Sequence, residues 1–351
     1  MSRQVVLFAP NVGSGGGLVL LRALLDADWC GRNVTAYLDS RARDHFTVLP
    51  HNIAVVWCKA SLFGRLRAEL GLARLLTAEH VLLCLHNLPP LLPTPATIYC
   101  FVQNANLVGL IPPKSQGPRL RLRYLVERAI ARLGKRRIYK YIVQTPTMRA
   151  ALLRWYGSGP PQVIVKPFLD KEKLQVVGAS MPAPESRRWD FMYVSDGPPH
   201  KNHRRLFQAW RLLAEQGEFP SLALTLHPER DVALRQELSV MIEHYALRIE
   251  DLGQMPHAHL LQTYHQVGAL LFPSLAESFG IPLVEAASAG LPILAPELDY
   301  VRDVCDPTET FDPHSERSMA RAVLRFLREQ SAKIEIRTPA EFIADILPPT
   351  D

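Results

Sequence analysis

Two glutamates, Glu277 and Glu285, stand with seven residues between them in the stretch FPSLAESFGIPLVEAASAGLP, residues 272–292. The apolar run Ala269 to Phe272 predicts a buried strand that breaks at Pro273-Ser274. A helix is predicted to begin near Gly280, with Pro282 in its first turn and Leu283, Val284, Ala286 and Ala287 behind it. A helix start leaves backbone N–H groups without partners and carries partial positive charge, so it suits an anion such as phosphate. A carboxylate on either side can accept hydrogen bonds from hydroxyls. Phosphate flanked by hydroxyls describes a nucleotide sugar, with the sugar on one side and the ribose on the other. The plainer alternative is an ordinary helix, with Glu285 in solvent and Glu277 a first-turn acid favoured by the dipole.

Glu277-Ser-Phe-Gly-Ile-Pro-Leu-Val-Glu285, followed by Gly290-Leu-Pro-Ile-Leu-Ala295, resembles the donor-site signature of the retaining glycosyltransferases of family 4. The resemblance implies that Glu277 lies by the donor sugar and Glu285 holds the nucleotide ribose. The amides of Ser278, Phe279, Gly280 and Ile281 would then hold the diphosphate. A second stretch, Tyr193 to Asn202, closes a predicted strand and is similar to the family's strand, Gly-Arg, loop, Lys-Asn element. Lys201-Asn202 matches it, but Ser195-Asp196 stands where Gly-Arg is expected, which removes the second cation of a phosphate clamp. Arg204 and Arg205 are the nearest substitutes. Taken by itself, Lys201 is a cation at a strand's carboxyl end, able to neutralise a departing diphosphate. The plainer alternative is a solvated lysine followed by Asn202 as a helix N-cap.

The glycine-rich turn Asn11 to Gly17 follows the first predicted strand and opens the first helix, so Gly15, Gly16 and Gly17 can let backbone approach a ligand closely. The resemblance implies that this turn nears the acceptor and the donor phosphate. The spacing does not fit G-x-G-x-x-G, yet Asp39 ends the second strand about where a dinucleotide site places its ribose-binding acid, which keeps an NAD-dependent oxidoreductase open. His86-Asn87 and Gln103-Asn104 each follow an apolar strand, where polar side chains can hold acceptor hydroxyls. The resemblance implies a His where Gln103 stands. An amide is no general base, which fits a mechanism in which the leaving phosphate takes the acceptor proton and leaves His86 the nearby imidazole, catalytic or structural.

The segment 114–140 carries Lys114, Arg119, Arg121, Arg123, Arg128, Arg132, Lys135, Arg136, Arg137 and Lys140 against one acid, Glu127. Leu120, Leu122, Leu125, Ile130 and Leu133 give it an apolar side. A basic amphipathic helix suits an anionic membrane surface, and a solvated helix face is the alternative. No aromatic-interleaved basic motif points to nucleic acid. Asp26-Ala-Asp28 spells a D-x-D at a predicted helix end rather than on a strand-end loop, and the His200/His203 and His257/His259 pairs lack further ligands at metal spacing, so no metal and no cofactor are expected.

These groups need a scaffold of alternating strands and helices, and the chain alternates throughout, which predicts an α/β protein with mostly parallel sheets. Strands are predicted at Val5–Ala9, Val34–Leu38, Ile53–Trp57, His80–Leu85, Thr97–Val102 and Tyr139–Gln144 in the first half. A polar, Pro-rich stretch between Lys166 and Arg188 marks the boundary. Residues 1–168 are read as a Rossmann-like acceptor domain and 169–188 as a linker. Residues 189–330 are read as a Rossmann-like donor domain, and 331–351 as a helical segment that packs back on the first domain. Two such domains across a cleft form the fold that the resemblance implies, GT-B. The 351 residues suffice for two cores. Net charge is +6, and the five cysteines lack any C-x-x-C, which predicts reduced core thiols and a cytoplasmic protein. No signal peptide or membrane span is expected. The resemblance implies transfer of a sugar from a GDP- or UDP-sugar to a lipid-linked saccharide in bacterial surface polysaccharide (lipopolysaccharide) synthesis, peripheral to the membrane's inner face. A nucleotide-sugar epimerase and a non-catalytic saccharide-binding protein share enough of these features to remain alternatives.

Overall fold

The computed structural model describes residues 4–46, 48–85, 87–111, 118–157, 159, 162–170 and 187–328. His86, most of the expected linker, and the expected C-terminal helical segment 331–351 lie outside them. Two wholly parallel sheets form the frame. The first contains β1 (Val5–Ala9), β2 (Val34–Asp39), β3 (Ile53–Cys58), β4 (Val81–Cys84), β5 (Thr97–Phe101), β6 (Lys140–Val143) and β7 (Gln162–Val165), in the order β3-β2-β1-β4-β5-β6-β7. The second contains β8 (Trp189–Tyr193), β9 (Leu222–Leu224), β10 (Ile249–Asp251), β11 (Val267–Leu271), β12 (Ile293–Pro296) and β13 (Glu309–Phe311), in the order β10-β9-β8-β11-β12-β13. Strands β7 and β13 were not legible beforehand. Gln162–Val165 is a four-residue run on a sheet edge, and Glu309–Phe311 spans three residues, too short for either to show a period.

Helices cover both faces of the first sheet. Leu7 and Ala9 of β1 join Leu20, Leu21 and Leu25 of α1 (Gly15–Asp26) in one core. Val6 and Phe8, pointing the other way, join α2 (Leu62–Leu75), α3 (Pro118–Gly134) and α4 (Pro146–Tyr156) in another. This is the period of two of a strand buried on both faces. The second domain has a core built on β11, buried along its whole length, and on the amphipathic helices α5 (His203–Ala214), α6 (Val232–Tyr245), α7 (His257–Thr263), α8 (Ile281–Ser288), α9 (Asp299–Arg302) and α10 (Glu316–Leu327). Among the described residues no helix is long and apolar enough to cross a membrane.

The strand order of each sheet reverses once, between β1 and β4 and between β8 and β11. Loops at the carboxyl ends of the strands that flank such a switch point border a crevice. In the first domain these loops are the glycine-rich turn and the segment after β4. In the second they are the loops that carry Lys201 and Glu277. The cysteines are free: Cys58, Cys84 and Cys100 are buried, as expected, whereas Cys30 is exposed. Burial pushes the Cys58 thiol up to about 11 and also raises the thiols of Cys84 and Cys100.

Candidate active site

The site is built on α8. Gly280 is its N-cap, with φ +74°, a left-handed conformation that suits glycine, and a Cβ there would lie 3.1 Å from Leu283 Cδ1. Pro282 occupies the first turn, where no N–H is missed. The loop leading to Gly280 is tied down from several sides. Tyr300 donates its hydroxyl to the Ser274 carbonyl (2.7 Å), and Leu275 N donates to the His200 carbonyl (2.8 Å). The Asn202 Nδ2 donates to the carbonyls of Pro273 (3.2 Å) and Pro313 (2.8 Å). Asn202, at φ +65°, stands at the N-cap position of α5 but makes no side-chain cap bond. It therefore departs from the expected capping role: its amide nitrogen braces the loop instead.

That bracing brings Lys201 Nζ to 2.7 Å from Glu277 Oε1, with both side chains largely buried. The two loops of the second switch point thus meet in one ion pair. Lys201 is not a solvated lysine: its side chain is 18% exposed, and its backbone carbonyl accepts the Tyr193 hydroxyl at 2.8 Å. Burial, followed by the charge of Lys201, lowers His200 to about 4, so this imidazole is neutral beside the pair.

Glu285 does not point to solvent. Its side chain is 2% exposed, with Oε1 2.6 Å from His257 Nε2 and Oε2 accepting the Tyr264 hydroxyl at 3.1 Å. A buried carboxylate needs such partners, and each oxygen keeps a second acceptor position. His257 opens α7 and is one-third exposed. Sequence reasoning set His257 aside for want of metal ligands. Its position at a helix start after a strand was the available signal.

The missing Gly-Arg cation has no substitute among the residues proposed for it. Arg204 pairs with Glu237 (2.7 Å), and Arg205 with the His314 carbonyl and Glu316. Asp196 instead faces Arg230, 3.4 Å away in the loop after β9.

Across the crevice, the glycine-rich turn lies directly on α8. A Cβ on Gly16 would come within 3.1 Å of Ile281 Cδ1, and one on Gly17 within 3.6 Å of the Gln103 amide. Gly15 adopts φ +67° to enter the helix. Gln103 donates from Nε2 to the Leu85 carbonyl (2.8 Å), and its own N–H is bound by Asn87 Oδ1 (2.6 Å). Asn104 Oδ1 accepts from Asn106 N (3.0 Å) and Nδ2 (3.1 Å) and closes a local turn. The domains are further joined by Thr145 Oγ1 to the Ser278 carbonyl (3.3 Å) and by Thr147 N to Asp303 Oδ2 (2.9 Å), contacts that no local motif signals.

Asp39, the acid on which a dinucleotide site would depend, is fully buried and chelated by Arg41, with NH2 to Oδ2 at 2.6 Å and the backbone N–H to Oδ1 at 2.9 Å. Arg41 Nε also donates to both oxygens (3.0 and 3.2 Å), so each oxygen already accepts two bonds, which speaks against the oxidoreductase alternative.

Residues 182–341 match the family of glycosyl transferases group 1. The chain is 27% identical over 143 residues to O-antigen chain mannosyltransferase B of Escherichia coli, a match that covers 40% of this chain and 37% of that one. The serotype-specific mannosyltransferase WbdA of the same organism is 28% identical over 149 residues, 40% of this chain and 18% of its own length. The matches thus span well under half the length of these curated relatives. The whole described fold is similar to that of a sucrose-phosphate synthase from Thermosynechococcus elongatus, with a TM-score of 0.68 at 18% identity over 93% of this chain and 90% of that one. It is also similar to Anabaena HepE solved with UDP and glucose, with a TM-score of 0.66 at 16% identity and the same coverage. The architecture is GT-B.

Proposed function

We propose, for a chain whose residues 182–341 match the family of glycosyl transferases group 1, that it is a retaining, metal-independent glycosyltransferase of surface-polysaccharide synthesis. It moves a sugar from a nucleotide-diphosphate sugar to a hydroxyl of a lipid-linked saccharide. The observation that carries this reading is the meeting of Lys201 and Glu277 at the mouth of α8, with Glu285 buried one side away. In the proposed complex the donor diphosphate sits on the first-turn amides of α8 and draws Lys201 from Glu277. Glu277 then accepts from a sugar hydroxyl, and Glu285, held by His257 and Tyr264, accepts from the ribose. As the anomeric carbon–oxygen bond to phosphate breaks, the acceptor oxygen bonds to that carbon from the same face. Its proton passes to the leaving phosphate oxygen, whose charge Lys201 and the helix start stabilise.

The acceptor enters beside Gly15–Gly17 and Gln103, opposite the donor domain. The similarity to O-antigen mannosyltransferases supports a hexosyl donor and a surface-polysaccharide acceptor. The basic segment 114–140 supports a peripheral position on the cytoplasmic face of the membrane.

The test is thermal shift of the purified chain with UDP, GDP, UDP- and GDP-sugars and NAD, with and without Mg²⁺ and EDTA, beside Glu285→Ala. One nucleotide class should raise Tm by several degrees without Mg²⁺, a stabilisation of about 3 kcal/mol at 100-fold excess over Kd, and the variant should lose the response. Stabilisation that ignores Glu285, or that needs Mg²⁺, refutes the site as drawn.

A further inference from the structure

Helix α3 buries one side and presents a second apolar side to solvent. Ala131 and Gly134 are buried, and Arg128 turns inward to the Asn106 carbonyl at 2.6 Å. On the opposite side Leu122, Leu125, Val126 and Leu133 are 65, 62, 51 and 83% exposed. Ile130, expected on the same apolar side, instead packs inward. Helix α2 repeats the pattern. Its Ala68 and Leu72 enter the core, while Phe63, Leu66 and Leu70, spaced to share one face, are 86, 50 and 45% exposed. Helices at a domain surface ordinarily present charge on that side, and single exposed apolar residues are scattered rather than aligned.

The two stripes belong to one surface. Both helices pack on the same face of the first sheet, and the loop through Leu91 bridges them. Leu91 N donates to Glu69 of α2 (2.9 Å), and its carbonyl accepts from Arg137 just beyond α3 (3.2 Å). Pro89 lies so close to Gly134 that a Cβ there would be 2.3 Å from the ring. The rim is cationic: Arg67 and Arg74 on α2, Arg132 on α3 and Arg136 after it are exposed. The acids within the two helices are already neutralised, Glu69 by Arg65 and Glu127 by Arg123. Beyond the end of α3 a cavity of about 770 Å³ is lined by Lys135, Arg136, Arg137 and Tyr139.

We propose that α2 and α3 together form one membrane-docking face, whose apolar stripes enter the boundary between headgroups and acyl chains while the arginines meet anionic phospholipid. It deepens the transferase reading by naming the surface that carries the chain to a lipid-linked acceptor, and α2 is the half that no charge run marks in the sequence. Charge selects the occupant. A second copy of this chain docked face to face would oppose one arginine rim with another, whereas an anionic bilayer neutralises it.

The experiment is vesicle co-sedimentation of the full chain, with phosphatidylcholine alone and with phosphatidylcholine–phosphatidylglycerol. The variants are Phe63→Ser/Leu66→Ser/Leu70→Ser and Leu125→Ser/Leu133→Ser, all at exposed positions. The wild type should bind the anionic vesicles in preference. Each variant should need about tenfold more lipid or more for half-binding, at unchanged mass by light scattering. An α2 variant that sediments like the wild type overturns the proposal, as does equal binding to neutral vesicles. So does a wild-type dimer that the α2 variant dissociates. The nucleotide-induced Tm shift, read on the same samples, reports on the transferase site independently. Its absence from the wild type would strike the functional reading, while vesicle binding alone decides the docking face.

Discussion

At the scale of single residues, the second domain's chemistry depends on charged and imidazole groups that the fold has taken out of water. Glu285 is acceptable in the interior because His257 and Tyr264 each occupy one of its oxygens. His203 is a sharper case. It is 3% exposed against Tyr193, with ring centroids 4.7 Å apart. Burial first, then the charge of Lys201, lowers its pKa to about 3. Nearby His200, lowered to about 4, and Lys201 are the other titratable groups acting on it. The unfolded chain binds protons on these imidazoles below about pH 6.5 and the folded chain does not, so stability is complete above that pH and falls as the pH drops toward 3–4. Urea denaturation at pH 7 and pH 5 should show the loss. His203→Gln should reduce the pH-dependent difference by on the order of 1–2 kcal/mol. A variant with an undiminished pH difference would show that His203 does not carry it.

At the scale of elements, α8 is short, eight residues, and its value lies in its start. The aim of its first-turn N–H groups is set by Gly280 in the left-handed region and by the loop that Asn202, Tyr300 and His200 hold. Gly280→Ala places a Cβ against Leu283 and a side chain where φ is +74°. The expected cost is about 1–2 kcal/mol in urea denaturation, with a nucleotide-induced Tm shift at most half that of the wild type. A variant of normal stability and full nucleotide response would mean that the helix start is not held by this residue.

At the scale of the whole molecule, the two domains touch at the candidate site itself, through Gly16 on Ile281, Thr145 on Ser278 and Thr147 on Asp303. Gly16→Val forces its side chain into Ile281, which wedges the first domain away from α8 without touching the nucleotide side. Nucleotide affinity should stay within about twofold while sugar transfer falls about 100-fold, measured with labelled nucleotide sugar. Adding Ile281→Ala should restore part of the rate by removing the clash. Equal losses in binding and transfer would place the effect inside the donor site instead of between the domains.

Much of this protein is written locally. Alternating apolar runs and helical periods announce two parallel sheets, because a strand buried on both faces must be apolar throughout. The Glu277–Glu285 spacing around Gly280-Ile-Pro marks a helix start, because Gly and Pro are confined there by their backbone angles. Pairings between distant segments are not local. The sequence does not show that Lys201 meets Glu277 or that Glu285 is buried beneath His257. Nor does it show that Asn202 braces a loop or that Asp39 is consumed by Arg41, since each depends on where separate strands end in space. The sidedness of α2 and α3 is decided in the same way. A helix with apolar residues on two sides does not state which side the sheet will cover, and only the packing of Ala68, Leu72 and Ala131 against it leaves Phe63, Leu66, Leu125 and Leu133 outside.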